Sequence, residues 1–270
     1  MPAMAGAVAD MKRKIITAVA CVMLIAGLGF LLFPVVSNYI GGLISKSETE
    51  KFDAAVSNII ETSYEQALDE GLIDSEGYPV DDSGDRISDV KAIFRPELDR
   101  LYSDSVKYNE SLADIQGTTA SYDYSDSALD LTDYGIYDGI YCYISAPTIG
   151  MRLPVYLGAS DYAMSYGAAH MANTSLPISG ESTNAAIAGH TGYIGRIFFD
   201  NLRGLSAGDS VSVKNYFETI DYTVTETKVV SEYYARDMII KEGRQMLTLV
   251  TCVPNNSGGF DRFLVICERV

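Results

Sequence analysis

Apolar and polar positions follow three different patterns along this chain. Residues 15–36 form a run of 22 positions without a charge, from Ile15 to Val36. As a helix rising ~1.5 Å per residue, such a run spans the ~30 Å hydrocarbon core of a bilayer. Positions 47–70 then place Phe52, Val56, Ile59, Ile60, Tyr64, Ala67 and Leu68 at three- and four-residue spacings and close at Gly71. Positions 88–115 repeat this with Ile93, Leu98, Leu101, Tyr102, Val106 and Leu112. Both segments are predicted to be amphipathic helices. Pro96 suits a first-turn position, so the second helix is expected to begin near Arg95. Between them, residues 74–89 are dense in Asp, Ser and Gly and read as a solvated loop, without the ligand spacing of a calcium-binding EF-hand.

From Tyr134 onward the pattern changes to short β-prone runs punctuated by turn residues: 136–145, 151–157, 185–188, 210–213, 219–230, 246–253 and 260–268. Seven or eight strands with loops of mixed length predict a mainly β domain, either a closed barrel or a sandwich. The polar stretch 116–133, which carries Tyr122 and Tyr124, reads as a linker between helices and strands. His170, within Gly167-Ala-Ala-His170, is read as part of a short helical turn. The expected organisation is a tail over 1–14, a membrane helix over 15–36, a helical region over 37–115, the linker, and a β domain over 134–270.

Lys12-Arg13-Lys14 precede the apolar run, and no Ala-x-Ala site ends it. This is the pattern of an uncleaved signal anchor on the cell membrane, with the amino terminus in the cytoplasm and the rest of the chain outside. The chain has 36 acidic and 20 basic residues, a net charge of −16. That balance excludes a nucleic-acid binder, which needs clustered Lys and Arg against phosphate. Beyond residue 36 there are 17 basic and 35 acidic side chains, a net of −18 facing outward. Such a surface attracts cationic partners. With two histidines and no Cys-x-x-Cys pair, neither a metal site nor a cofactor is expected.

Of four cysteines, Cys21 lies in the apolar run, leaving Cys142, Cys252 and Cys267 outside. Three cannot all pair within one chain, so at least one thiol stays free in an oxidising compartment. Cys142 and Cys267 fall within β patterns, where a buried, inert thiol is the expectation, and a disulfide between them is compatible with the count. Cys252 differs, because it ends the strand 246–251 and faces a Gly-Asn-Ser loop over 255–259. A hairpin across that loop returns Arg262 beside Cys252, where a guanidinium lowers a thiol pKa and donates to a developing oxyanion. A nucleophilic cysteine also needs a proton-transfer partner. His190, where a strand gives way to a Gly-flanked turn, is the better placed of the two histidines.

Thr248-Leu249-Val250-Thr251-Cys252 followed by Arg262 resembles the Thr-Leu-x-Thr-Cys…Arg signature of sortases. Ala188-Gly189-His190-Thr191-Gly192 resembles their catalytic-histidine motif. Residues 173–184 are similar to the segment before that histidine in class C, pilus-assembling sortases, and Leu153-Pro154-Val155-Tyr156-Leu157-Gly158 to their Leu-Pro-Ile-Tyr-x-Gly strand. The likeness covers about 134–270. It implies an eight-stranded sortase β-barrel, preceded by two α-helices and the membrane helix. It also implies a cysteine transpeptidase with Cys252 as nucleophile, His190 as general acid/base and Arg262 as oxyanion stabiliser. The implied substrates are LPXTG-type surface proteins or pilins, and the acceptor is an amine. That amine belongs to a pilin lysine or, in a wall-anchoring enzyme, to a peptidoglycan cross-bridge; a hydrolytic cysteine peptidase is a further alternative. Class C enzymes usually carry a lid with Asp-Pro and an aromatic residue. Residues 116–133 occupy that place but contain no proline, so either the lid is absent or a tyrosine such as Tyr122 or Tyr124 serves instead.

Overall fold

The computed structural model describes residues 2–116, 124–232, 234 and 236–270, with backbone alone for 2–10, 12 and 113–115. Two compact units are present: Met1–Leu43 with Ile194–Arg196, and Ile44–Tyr193 with Ile197–Val270. In the first, the helix α1 (Pro2–Ser57) carries the apolar run, and its side chains from Arg13 to Val36 are exposed wherever described. It is long and apolar enough to cross a membrane.

The remaining elements belong to the second unit. After the end of α1 come β1 (Ile59–Ile60), α2 (Tyr64–Asp69), β2 (Ile93–Phe94) and α3 (Arg95–Ile115). The single helix expected over 47–70 is therefore two pieces. Ile59-Ile60 leave the helix to pair in parallel with Ile93-Phe94. The Asn58 amide fixes this break by donating to Ser88 Oγ at 2.9 Å and Val90 O at 3.0 Å. Helix α3 starts at Arg95 with Pro96 in its first turn, where the missing N–H costs nothing.

Eight strands close into a barrel: β3 (Ile140–Ala146), β4 (Met151–Leu157), β5 (Ala168–His170), β6 (Thr183–Ala188), β7 (Ser210–Asn215), β8 (Thr219–Val230), β9 (Gln245–Pro254) and β10 (Phe260–Arg269). Their order around the ring is β10-β8-β7-β3-β4-β5-β6-β9. His170 closes the three-residue strand β5 rather than a helical turn, and the one helix in this stretch, α4, covers Asp161–Tyr166. Period-two patterning fills the barrel. Ile220, Tyr222 and Val224 of β8 point inward, as do Leu247, Leu249 and Val253 of β9 and Phe263, Val265 and Cys267 of β10.

Strand β9 is buried on both faces from Met246 to Thr251. Its outer face lies under the β8–β9 connection. Asn184 donates to the carbonyls of Asp237 (2.7 Å) and Ile239 (3.1 Å), and Thr248 donates to Asp237 O at 3.0 Å. The end of α1 docks on the barrel through Phe52, fully buried between Tyr143 and Tyr216, and through Asp53, which accepts from Lys214 and Arg152. Helix α3 is held by Ser105, which accepts from Tyr141 at 3.0 Å, and by Asn109, which exchanges two bonds with Leu176.

Candidate active site

Strand β6 runs parallel to β9 with Ala188 beside Val250. The pairing continues one step further: Gly189 N donates to Val250 O at 3.0 Å, and the Thr251 hydroxyl donates to Gly189 O at 2.7 Å. His190 follows Gly189 in the chain as Cys252 follows Thr251. On its other side, β9 is antiparallel to β10, and Cys252 is the direct partner of Arg262. Cys252 and Arg262 thus form one row across two adjacent strands ~4.8 Å apart, and His190 lies two residues past the end of β6, the strand on the other side of β9. Since Thr251, Val253 and Phe263 face the barrel interior or are buried, alternation directs Cys252 and Arg262 to the outer face. Cys252 is half-buried there, whereas Cys142 and Cys267 are enclosed.

All four thiols are free. Burial pushes the Cys142 thiol far above the ordinary range and that of Cys267 up to about 12, so both stay protonated and inert. His170 is fully buried beside Ile187, with Nε2 lying 3.1 and 3.0 Å from the carbonyls of Thr174 and Ser175. Burial lowers its pKa to about 4, which keeps it neutral and structural. The geometry separates the two histidines as it separates the three cysteines that follow the apolar run.

Several residues around the row carry no signature in the sequence. The Arg262 guanidinium sits 3.7 Å from the Glu232 carboxylate and 3.4 Å from the carbonyls of Phe260 and Asp261. Asp200 ties the turn after His190 by accepting from Gly192 N at 2.8 Å and Phe198 N at 3.0 Å. The His190 carbonyl accepts from Phe199 N at 2.9 Å, and the Tyr193 ring stacks on the imidazole. Gly189 has a steric reason: a Cβ there would lie 2.6–2.8 Å from the Phe199 ring.

Beside the row the outer face is apolar. Ala186, Ala188, Val250 and Leu264 form one buried cluster with Met171 and Met238, and Tyr124 packs against it. The Tyr124 carbonyl accepts from Ala159 N at 2.7 Å and Ala172 N at 3.3 Å. Tyr122, the other tyrosine singled out in this stretch, lies outside the described residues.

Comparisons with known proteins converge on one family. The model of the sortase domain matches residues 144–270. Sortase A of Streptococcus agalactiae serotype III (strain NEM316) is 30% identical over 113 residues, which is 40% of this chain and 45% of that relative. The chain therefore spans less than half the length of that curated relative. Among solved structures, the pilus-related sortase C of Group B Streptococcus is 32% identical with a TM-score of 0.57, covering 65% of this chain and 90% of its own. Streptococcus agalactiae sortase C1 in complex with MTSET gives 27% and 0.58, with coverages of 65% and 91%. Sortase C-1 from Streptococcus pneumoniae gives 28% and 0.55, again with 65% and 91%.

Proposed function

The chain belongs to the sortase family, and we propose that it is a membrane-anchored, class C-like transpeptidase that joins LPXTG-type pilins through a lysine amine. In this reading the Cys252 thiolate attacks the carbonyl carbon of the Thr–Gly bond in the sorting signal. The carbonyl oxygen becomes an oxyanion, which the Arg262 guanidinium stabilises. Protonated His190 gives its proton to the glycine nitrogen as the C–N bond breaks, leaving a thioacyl link between threonine and Cys252. The incoming amine loses a proton to His190, attacks the thioester and releases the thiolate. The product is an isopeptide bond when the amine is a lysine side chain, and both the proton and the nucleophile are restored.

The observation that carries this reading is the register that sets Cys252 opposite Arg262, beside a parallel β6–β9 ladder whose last pair, Ala188 with Val250, comes two residues before His190 and Cys252. The pilin acceptor is favoured by a relative described as pilus-related. The acidic outer surface suits a lysine-bearing acceptor. Residues 15–36 anchor the chain with the catalytic domain on the extracellular face. Residues 116–133 act as a lid, Tyr124 resting on the apolar floor beside the row until substrate displaces it.

The test is mass spectrometry of products formed by the full-length protein in detergent with an LPXTG peptide, with and without a lysine-bearing pilin. A peptide–lysine conjugate supports the proposal. Conjugation only to a cross-bridge amine assigns wall anchoring, and threonine-ended peptide alone assigns hydrolysis.

A further inference from the structure

A base that must accept and return a proton is normally held in orientation by a third group that hydrogen-bonds its far nitrogen. Among the described residues, no hydrogen bond reaches the His190 imidazole. Its ring contact is instead an aromatic face. The Tyr193 ring lies parallel to the imidazole, with an interplanar angle of 11° and centroids 5.4 Å apart. Tyr193 is itself supported from behind by Phe198, whose buried ring lies 5.5 Å away at 54°. Asp200 fixes the turn that carries both, through its bonds to Gly192 N and Phe198 N.

We propose that Tyr193 is the positioning residue for His190, holding the imidazole by its face where other nucleophile–base sites use a hydrogen bond. This arrangement fits the proton cycle. A stacked face fixes the plane of the ring while leaving both nitrogens free, one for the reacting amine and one for water. It also tolerates the charged ring, since the π face of tyrosine attracts a cation. The tyrosine does not touch the reacting atoms in this scheme. It acts only through His190, and so the inference rests on the reading of His190 as the proton-transfer group.

The experiment uses full-length Tyr193→Leu and Tyr193→Phe in detergent with two readouts. Leucine keeps apolar bulk but loses the face; phenylalanine keeps the face and loses the hydroxyl. Steady-state kinetics with an LPXTG peptide and an amine should show kcat of Tyr193→Leu reduced about tenfold or more with KM little changed. That is part of the ~10²–10⁴ a general acid–base group contributes. Tyr193→Phe should recover at least half of the wild-type kcat.

The second readout does not need turnover. With two histidines in the chain, isotope-labelled histidine gives two sets of ring proton signals, and buried His170 serves as the reference. The His190 set should move downfield in Tyr193→Leu, as the ring current of the stacked face is lost, and stay in place in Tyr193→Phe. Wild-type kcat in Tyr193→Leu, or His190 signals that do not move, overturns the proposal. If the wild-type protein turns over no sorting-signal peptide, the transpeptidase reading fails, and the ring signals alone still decide whether Tyr193 holds the imidazole.

Discussion

Gly189→Ala tests whether the chemistry depends on the backbone beside it. The new Cβ would lie 2.6 Å from the nearest carbon of the Phe199 ring, where ordinary contact begins at 3.4 Å, so one of them must move by 0.8 Å. Phe199 is 1% exposed and its N–H is bonded to the His190 carbonyl, so it has no free direction in which to retreat. On the other side, Gly189 is held to β9 through Val250 and Thr251. Overpacking of this kind costs about 1–3 kcal/mol. The displacement passes to His190, the next residue, and a misplacement near 1 Å costs roughly 10²-fold in rate. Urea unfolding and steady-state kinetics on the same preparation measure both effects. We expect a modest loss of stability with a loss of kcat far larger than any unfolded fraction explains. Wild-type kcat in a folded Gly189→Ala protein would refute the claim that this packing sets the histidine.

Three further predictions concern separate parts of the molecule. Arg262→Lys keeps the charge but loses the planar fork, so kcat should fall at least tenfold with little change in unfolding; unchanged kcat removes Arg262 from the mechanism. His170 has a folded pKa of about 4 against an ordinary 6.5, so its neutral form is favoured by folding. Stability should be complete above pH 6.5 and fall by about 3 kcal/mol as the pH drops to about 4. Chemical unfolding of His170→Gln across this range should show a flatter profile, and an identical one would contradict the assignment. Tyr124→Ala should expose the floor beside the row and speed alkylation of Cys252; an unchanged rate would mean the site is already open.

How much could be read from the sequence depended on the range of the interaction. Strand β8 was legible because its alternation is local, and β9 because its apolar run ends in a loop. The Cys252–Arg262 pair was equally legible, since one hairpin with a short loop brings them together. The helix pattern over 47–70 misled because Ile59 and Ile60 keep helical spacing while their partners, Ile93 and Phe94, lie more than thirty residues away. Strand β5 escaped because three residues carry no period. The parallel pairing of β6 with β9, which leads toward His190 and Cys252, joins distant strands that no local spacing encodes. His190 was singled out only through the chemical need for a partner and the resemblance of its motif. The stack of Tyr193 on His190 left no trace in spacing at all.

The central claim is that one thiol of four carries the acyl group. Mixing the full-length protein with an LPXTG peptide without an amine acceptor, quenching in acid and mapping the adduct by mass spectrometry measures this directly. The expected result is the peptide up to threonine attached to Cys252, with no adduct in Cys252→Ala. An adduct on another cysteine, or cleavage that persists in Cys252→Ala, would contradict the account.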